Sequence, residues 1–184
     1  MHNQLETLIP YIDWTPFFIT WSLAGKFPSI LKDHKVGKAA QDLFNDARTM
    51  LDEIMTSGSL RAKAVVGFWP ANRSGANDIS VRYEHSEDQP AATLHFLRQQ
   101  AAKAAEQSHL CLADFVAPES TGKQDYLGGF VVTAGIGADQ LARKYEEEQN
   151  DYSALMIKAL ADRLAEAFAE HMHEKVRKEL WGYQ

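Results

Sequence analysis

The longest uninterrupted pattern in the chain covers residues 151–181. Apolar side chains recur there at every fourth position: Met156, Leu160, Leu164, Phe168, Met172, Val176 and Leu180. A polar row runs beside them, through Lys158, Asp162, Glu166, Glu170, Glu174 and Lys178. No Gly or Pro intervenes, and strong helix formers dominate. The pattern predicts one continuous helix, roughly 45 Å long. A four-residue step drifts by about 40° on a helix of 3.6 residues per turn, so the buried face winds and neighbours must meet it on different sides. The polar row reads as a largely solvated face. Asp151 or Ser153 is the expected cap at the start. Gly182 fits the position just past the end, with Lys175, Arg177 and Lys178 suited to the helix dipole.

Three- and four-residue spacing predicts a second long helix over 36–55, ended by Ser57-Gly58-Ser59. Upstream, a short helix is expected over 3–9, stopped by Pro10. Thr15 followed by Pro16 reads as the start of a short, almost wholly apolar helix. Trp14, Phe17, Phe18 and Trp21 should therefore be mostly buried and packed near the final helix. Residues 23–28 read as a turn and 29–31 as one more helical turn. In the middle of the chain the period shortens. Strands are expected at 64–70, 79–83, 93–97, 110–116 and 127–133, with breaks at 71–77, 88–90 and 119–126. An Ala-rich helix is expected over 99–106, and another over 138–149. Strands cluster centrally and long helices sit at both ends, which predicts a single α+β domain over 1–184 with a twisted, largely antiparallel sheet.

Composition narrows the function. A net charge of −6 argues against nucleic acid or an anionic membrane as main partner. No apolar run is long enough to span a membrane. The single cysteine, Cys111, excludes an internal disulfide and suits a reducing, cytoplasmic setting. Flanked by Leu110 and Leu112, it reads as a small core residue of a strand. His171 and His173 are two apart and cannot share a metal on a helix, and His2, His34, His85, His95 and His109 lack ligand spacing. Gly135-Ile136-Gly137 lacks the third glycine of a dinucleotide fingerprint and reads as a strand-to-helix turn. Ser120-Thr121-Gly122-Lys123 lacks the rest of a phosphate loop. No catalytic or metal-ligating set emerges. Asp13 stands between Ile12 and Trp14. Residue types alone favour a helix cap there, beside the alternative of a carboxylate that binds a ligand's hydroxyl or ammonium.

Several blocks, in order, resemble the activation domain of cobalamin-dependent methionine synthase. They are YIDWTPFFITWSLAGKFPSIL, VVGFWPANRSGANDI, LRQQ, LCLADFVAP and DYSALMIKALADRLAEAFAEHMHEKVRKELWGY. The resemblance covers nearly the whole chain, about 5–183. It implies a C-shaped α+β module that binds S-adenosylmethionine and serves a methyltransferase, 5-methyltetrahydrofolate–homocysteine methyltransferase, in methionine biosynthesis. There it supports reductive methylation of cob(II)alamin. The cobalamin is carried by a partner domain, and flavodoxin or a related reductase supplies the electron. The Asp of the YIDWTPFF block helps bind S-adenosylmethionine, which points to Asp13. The Glu of LAEAF points, less directly, to Glu166.

The family's Arg-x-x-x-Gly-Tyr-x-x-Cys-Pro block has no counterpart here; Cys111 is followed by Leu112. The chain is thus expected to be the first part of an activation domain, with no complete catalytic site and weak or absent S-adenosylmethionine binding by itself. The alternative is a stand-alone, non-catalytic docking module for a corrinoid protein or its reductase. A third reading is an unrelated small-molecule binder reusing the scaffold.

Overall fold

The computed structural model describes residues 5–83, 90–104 and 106–182. His2, His85, the helix start expected at 3–4, the break expected at 88–89, residue 105 of the expected 99–106 helix and Tyr183 lie outside the described residues. The chain forms two compact units, one of Met1–Val65 with Val131–Gln184, the other of Val66–Phe130.

The first unit is mainly helical. A 3-10 segment, Leu5–Tyr11, contains Pro10 rather than ending before it. Proline's fixed φ matches 3-10 geometry, so the ring is accommodated. The next helix, α1 (Trp14–Thr20), is capped by Asp13, one of the two caps expected, and Thr15 is already helical. Thr15 Oγ1 instead accepts from the Phe27 amide at 3.2 Å. A 3-10 turn at Ser29–Lys32 leads to α2 (Gly37–Ser57), which ends on Gly58 in the left-handed region at φ 62°. The third helix, α3 (Ala138–Glu147), starts at Gly137, whose φ is 108°. A Cβ there would lie 2.4 Å from the Ser59 carbonyl oxygen, so conformation and space both demand glycine. The strand-to-helix reading of this glycine pair holds.

The last helix, α4 (Asp151–Lys175), continues as a π-helical turn, Val176–Leu180. Its cap is Asn150, whose side chain accepts from Ser153 N at 3.0 Å, while Asp151 is already helical. From Met156 to Val176 the whole apolar row is buried, but Leu180 is 47% exposed. The π turn shifts the phase of the row by about one residue, which turns Leu180 away from the buried face. The winding face meets α3, α1, α2 and the 3-10 segment Leu5–Tyr11, as the drift of the row requires. Trp14, Phe17 and Phe18 are buried. Trp14 meets Phe17 and Phe44 edge-on, with centroids 5.4 and 4.8 Å apart. Trp21 is half-buried and packs against Tyr152 of α4 at 5.0 Å.

The second unit is built on a sheet of strand order β3-β2-β1-β4. The strands are β1 (Arg61–Ser74), β2 (Asp78–Val81), β3 (Ala92–His95) and β4 (Asp125–Ile136), and β1 and β4 run on into the first unit. β1 pairs antiparallel with β2 from Ala71 opposite Val81 to Ser74 opposite Asp78. β2 pairs antiparallel with β3 from Asp78 opposite His95 to Val81 opposite Ala92. The α+β reading holds, with three local corrections. β1 does not stop at Pro70. That residue lacks only a donor, and its carbonyl accepts from Arg82 N at 2.9 Å. Residues 99–104 and 106 are not helical; Gln99 N bonds Leu110 O at 2.9 Å and Arg98 donates to His109 O, which ties this stretch to 109–110. Residues 110–116 are not a strand, since Leu112–Phe115 is a 3-10 turn capped by Cys111.

A small core of Ala71, Ile79, Val81, Cys111 and Ala113 lies here, with Phe96, Val116 and Leu127 against it. Beside it Arg98 and Asp114 form a forked pair, at 2.7 and 2.9 Å. Arg98 also donates to Ala76 O, His109 O and Asn77 Oδ1, so all its N–H groups are used. Asp114 accepts further from Arg73 at 3.2 Å and from the Cys111 amide at 2.9 Å. Arg98 first, then the Cys111 amide, holds the Asp114 carboxyl far below the usual carboxylate range.

Candidate ligand site

Asp13 lies between two buried residues, Ile12 and Trp14, and is itself exposed. Its backbone is extended, at φ −78° and ψ 110°, and Oδ1 accepts from Thr15 N at 2.9 Å. Burial of the flanking side chains forces the carboxylate outward and holds it at the start of α1. Capping uses one oxygen. The other meets no protein donor among the described residues, so it can still accept a hydrogen bond from a ligand. The cap and ligand readings are therefore compatible.

Glu166 stands on α4 and is about half exposed, with 52% of its side-chain surface accessible. It is not simply solvated. Oε2 pairs with Arg163 Nη1 at 2.5 Å, one turn earlier, and Arg163 also meets Asp162 at 2.7 Å. Only 13% of the Arg163 side chain is accessible, far less than either carboxylate it meets. Much of the polar row is paired in the same way, with Lys158 on Glu146 and Lys178 on Glu174. The spacing of Arg163 and Glu166, three apart on a helix, was the available signal for this pair.

Asp13 and Glu166 do not touch each other; each has its own partner. Tyr11 is a further polar group here that neither periodicity nor spacing singles out. Its hydroxyl donates to Glu174 Oε2 at 2.6 Å, and its ring meets His171 edge-on at 5.2 Å. The hydrogen bond to Glu174 pushes the Tyr11 phenol above its ordinary value. Lys178 and then Tyr11 hold Glu174 below its own.

A separate groove of about 420 Å³ is bordered by Asp46 and Glu53 of α2, Tyr145 of α3 and Tyr152 of α4. Tyr152 donates to Asp46 at 2.7 Å, and burial pushes its phenol far upward. Neither Asp13 nor Glu166 lines this groove. Cys111 is buried, as expected of a core residue, with Sγ 3.9 Å from Asn77 O. Among the described residues no group of three His, Cys, Asp or Glu side chains is arranged to hold a metal ion. Among the described residues no helix is long and apolar enough to cross a membrane.

The model of the family described as vitamin B12 dependent methionine synthase, activation domain, matches residues 4–184. A solved crystal structure, of the MetH reactivation domain bound to AdoHcy, is 52% identical over 100% of this chain, with a TM-score of 0.90. The chain spans 56% of the length of that solved chain. The ordered YIDWTPFF-to-WGY blocks, the α+β fold and the match across 4–184 agree, and the chain belongs to the activation-domain family of vitamin B12-dependent methionine synthase.

Proposed function

We propose that this chain is part of a reactivation module that binds S-adenosylmethionine, with Asp13 and Glu166 among its ligand contacts. The supporting observation is the AdoHcy-bound relative, 52% identical along the whole chain. S-adenosylmethionine supplies an electrophilic methyl group, used for reductive methylation of a cobalamin carried by a partner domain, with flavodoxin or a related reductase as electron source and the cytoplasm as the setting. The residues on hand fit one end of such a ligand. The spare oxygen of Asp13 can accept from a ribose hydroxyl or attract the ammonium. Glu166 can do the same at the cost of sharing Arg163. The ligand's own carboxylate is less well served. Arg163 is the cation beside Glu166, and it already faces Asp162 and Glu166. Small-ligand sites bury most of their ligand, whereas Asp13 is open to solvent.

The chain by itself should therefore bind S-adenosylmethionine weakly or not at all. The test is titration calorimetry with S-adenosylhomocysteine on the isolated chain and on the protein as encoded. Binding by the encoded protein that weakens about ten- to a hundredfold on Asp13→Asn supports the reading. Binding indifferent to Asp13→Asn removes Asp13 from the site. Tight binding by the isolated chain, abolished by Asp13→Asn, would mean that these residues form a more complete site than proposed. No binding by the encoded protein would favour the non-catalytic docking module.

A further inference from the structure

We propose that Tyr11 is a positioning residue for the ligand site, clasping the segment that carries Asp13 to the helix that carries Glu166. The inference rests on the reading of Asp13 and Glu166 as ligand contacts. The two carboxylates sit on separate elements, and a ligand touching both needs their spacing fixed. Tyr11 ends the 3-10 segment Leu5–Tyr11 and lies two residues before Asp13, about 7 Å along an extended chain. Its hydroxyl reaches Glu174, 163 positions away in sequence, at 2.6 Å. Glu174 is eight residues beyond Glu166, about 12 Å along the same helix.

Two α4 side chains and one from the π-helical turn shape the clasp. His171 meets the Tyr11 ring edge-on at 5.2 Å and lies beside the buried Phe168, with centroids 6.5 Å apart. Glu174 accepts the hydroxyl. Lys178 pairs with Glu174 from the next turn. Positions 171 and 174, three apart on α4, share one helix face, so ring and hydroxyl are held by one rigid surface. A tyrosine used only to fill space would need no acceptor, and phenylalanine would serve equally. Here the hydroxyl makes a charge-assisted bond that depends on direction. From that anchor the chain passes through buried Ile12 to Asp13, whose Oδ1 is then taken by the α1 cap. The clasp orients the segment against α4, and the cap orients the carboxylate within it.

The experiment is calorimetric titration of the protein as encoded with S-adenosylhomocysteine, for Tyr11→Phe, Glu174→Gln, Glu174→Ala, Asp13→Asn and the double variant Tyr11→Phe/Asp13→Asn. Tyr11→Phe should weaken binding about tenfold, as loss of one charge-assisted bond would. Glu174→Ala should match it. Glu174→Gln, which keeps an acceptor for the hydroxyl, should recover most of the affinity. In the Asp13→Asn background, Tyr11→Phe should add little, because its effect passes through Asp13. A merely structural tyrosine would weaken binding equally in both backgrounds. That additivity, or no effect of Tyr11→Phe beside a clear effect of Asp13→Asn, overturns the positioning role alone. An inert Asp13→Asn, or no binding by the wild type, overturns the site reading and this inference with it.

Discussion

The two units are held together by different physics. The helical unit has a large apolar core, in which Phe17, Phe18, Phe168, Leu160 and Leu164 are almost fully buried. The strand-rich unit has a core of small residues, Ala71, Ile79, Val81, Cys111 and Ala113. It adds a polar knot in which Arg98 uses all its donors and Asp114 accepts from two arginines and an amide. Apolar burial has no direction and barely responds to pH. A charged knot is directional, and leaving one of its members unpaired is costly. The candidate ligand residues belong to the first unit, where a rigid packed core can hold carboxylates on its surface.

The largest expected effect comes from the core of the helical unit. Phe168→Ala removes a ring at 1% exposure and should cost about 3–5 kcal/mol in urea unfolding. A loss under about 1 kcal/mol would show that packing around α4 is not what holds this unit.

The polar knot should show itself through pH. The folded Asp114 carboxyl is held far below its unfolded value, so its contribution is complete above the unfolded carboxylate pKa of about 3.9 and is lost progressively as pH falls below it. Hydrogen exchange at the Cys111 amide, followed from pH 5 to pH 2.5, should report increased opening toward the acid end after correction for intrinsic exchange. Asp114→Asn should raise opening at pH 5 and flatten that dependence. An unchanged acid limb in Asp114→Asn would assign the sensitivity elsewhere.

The smallest effect sharpens the contrast between a knot and a surface pair. Lys38 and Asp42, one turn apart on α2, keep 84% and 56% of their side chains accessible. Lys38→Ala should change the urea midpoint by no more than about 0.5 kcal/mol in free energy. A larger loss would mean that exposed pairs matter more in this protein than the contrast allows.

The same difference explains what the sequence made legible. Where burial alone selects the structure, periodicity reports it. The row from Met156 to Val176 and the pattern along α2 could be read directly. Ends were harder, because caps depend on backbone angles. Asn150 took the role expected of Asp151 or Ser153, and of the two caps expected for α1, Asp13 and Thr15, the structure uses Asp13. In the strand-rich unit, long-range polar bonds override local pattern. The apolar run Leu110-Cys111-Leu112 suggests a strand, but Asp114 accepts from the Cys111 amide and closes a turn. The alanines at 101–104 suggest a helix, but Gln99 and Arg98 are tied to residues 109 and 110. An aspartate within an apolar run was the usable clue, since a carboxylate there needs cations. Asp13 and Glu166 are proposed as ligand contacts through the family blocks alone; Arg163 and Tyr11 depend on contacts that periodicity does not encode.

The most direct measurement is hydrogen–deuterium exchange of the encoded protein with and without S-adenosylhomocysteine, resolved by peptide. Ligand should slow exchange at the start of α1, at Trp14 and Thr15, and along α4 around Glu166, while the amide of Cys111 stays unchanged. Protection confined to the groove bordered by Asp46, Glu53, Tyr145 and Tyr152, with the Asp13 segment unaffected, would contradict the account.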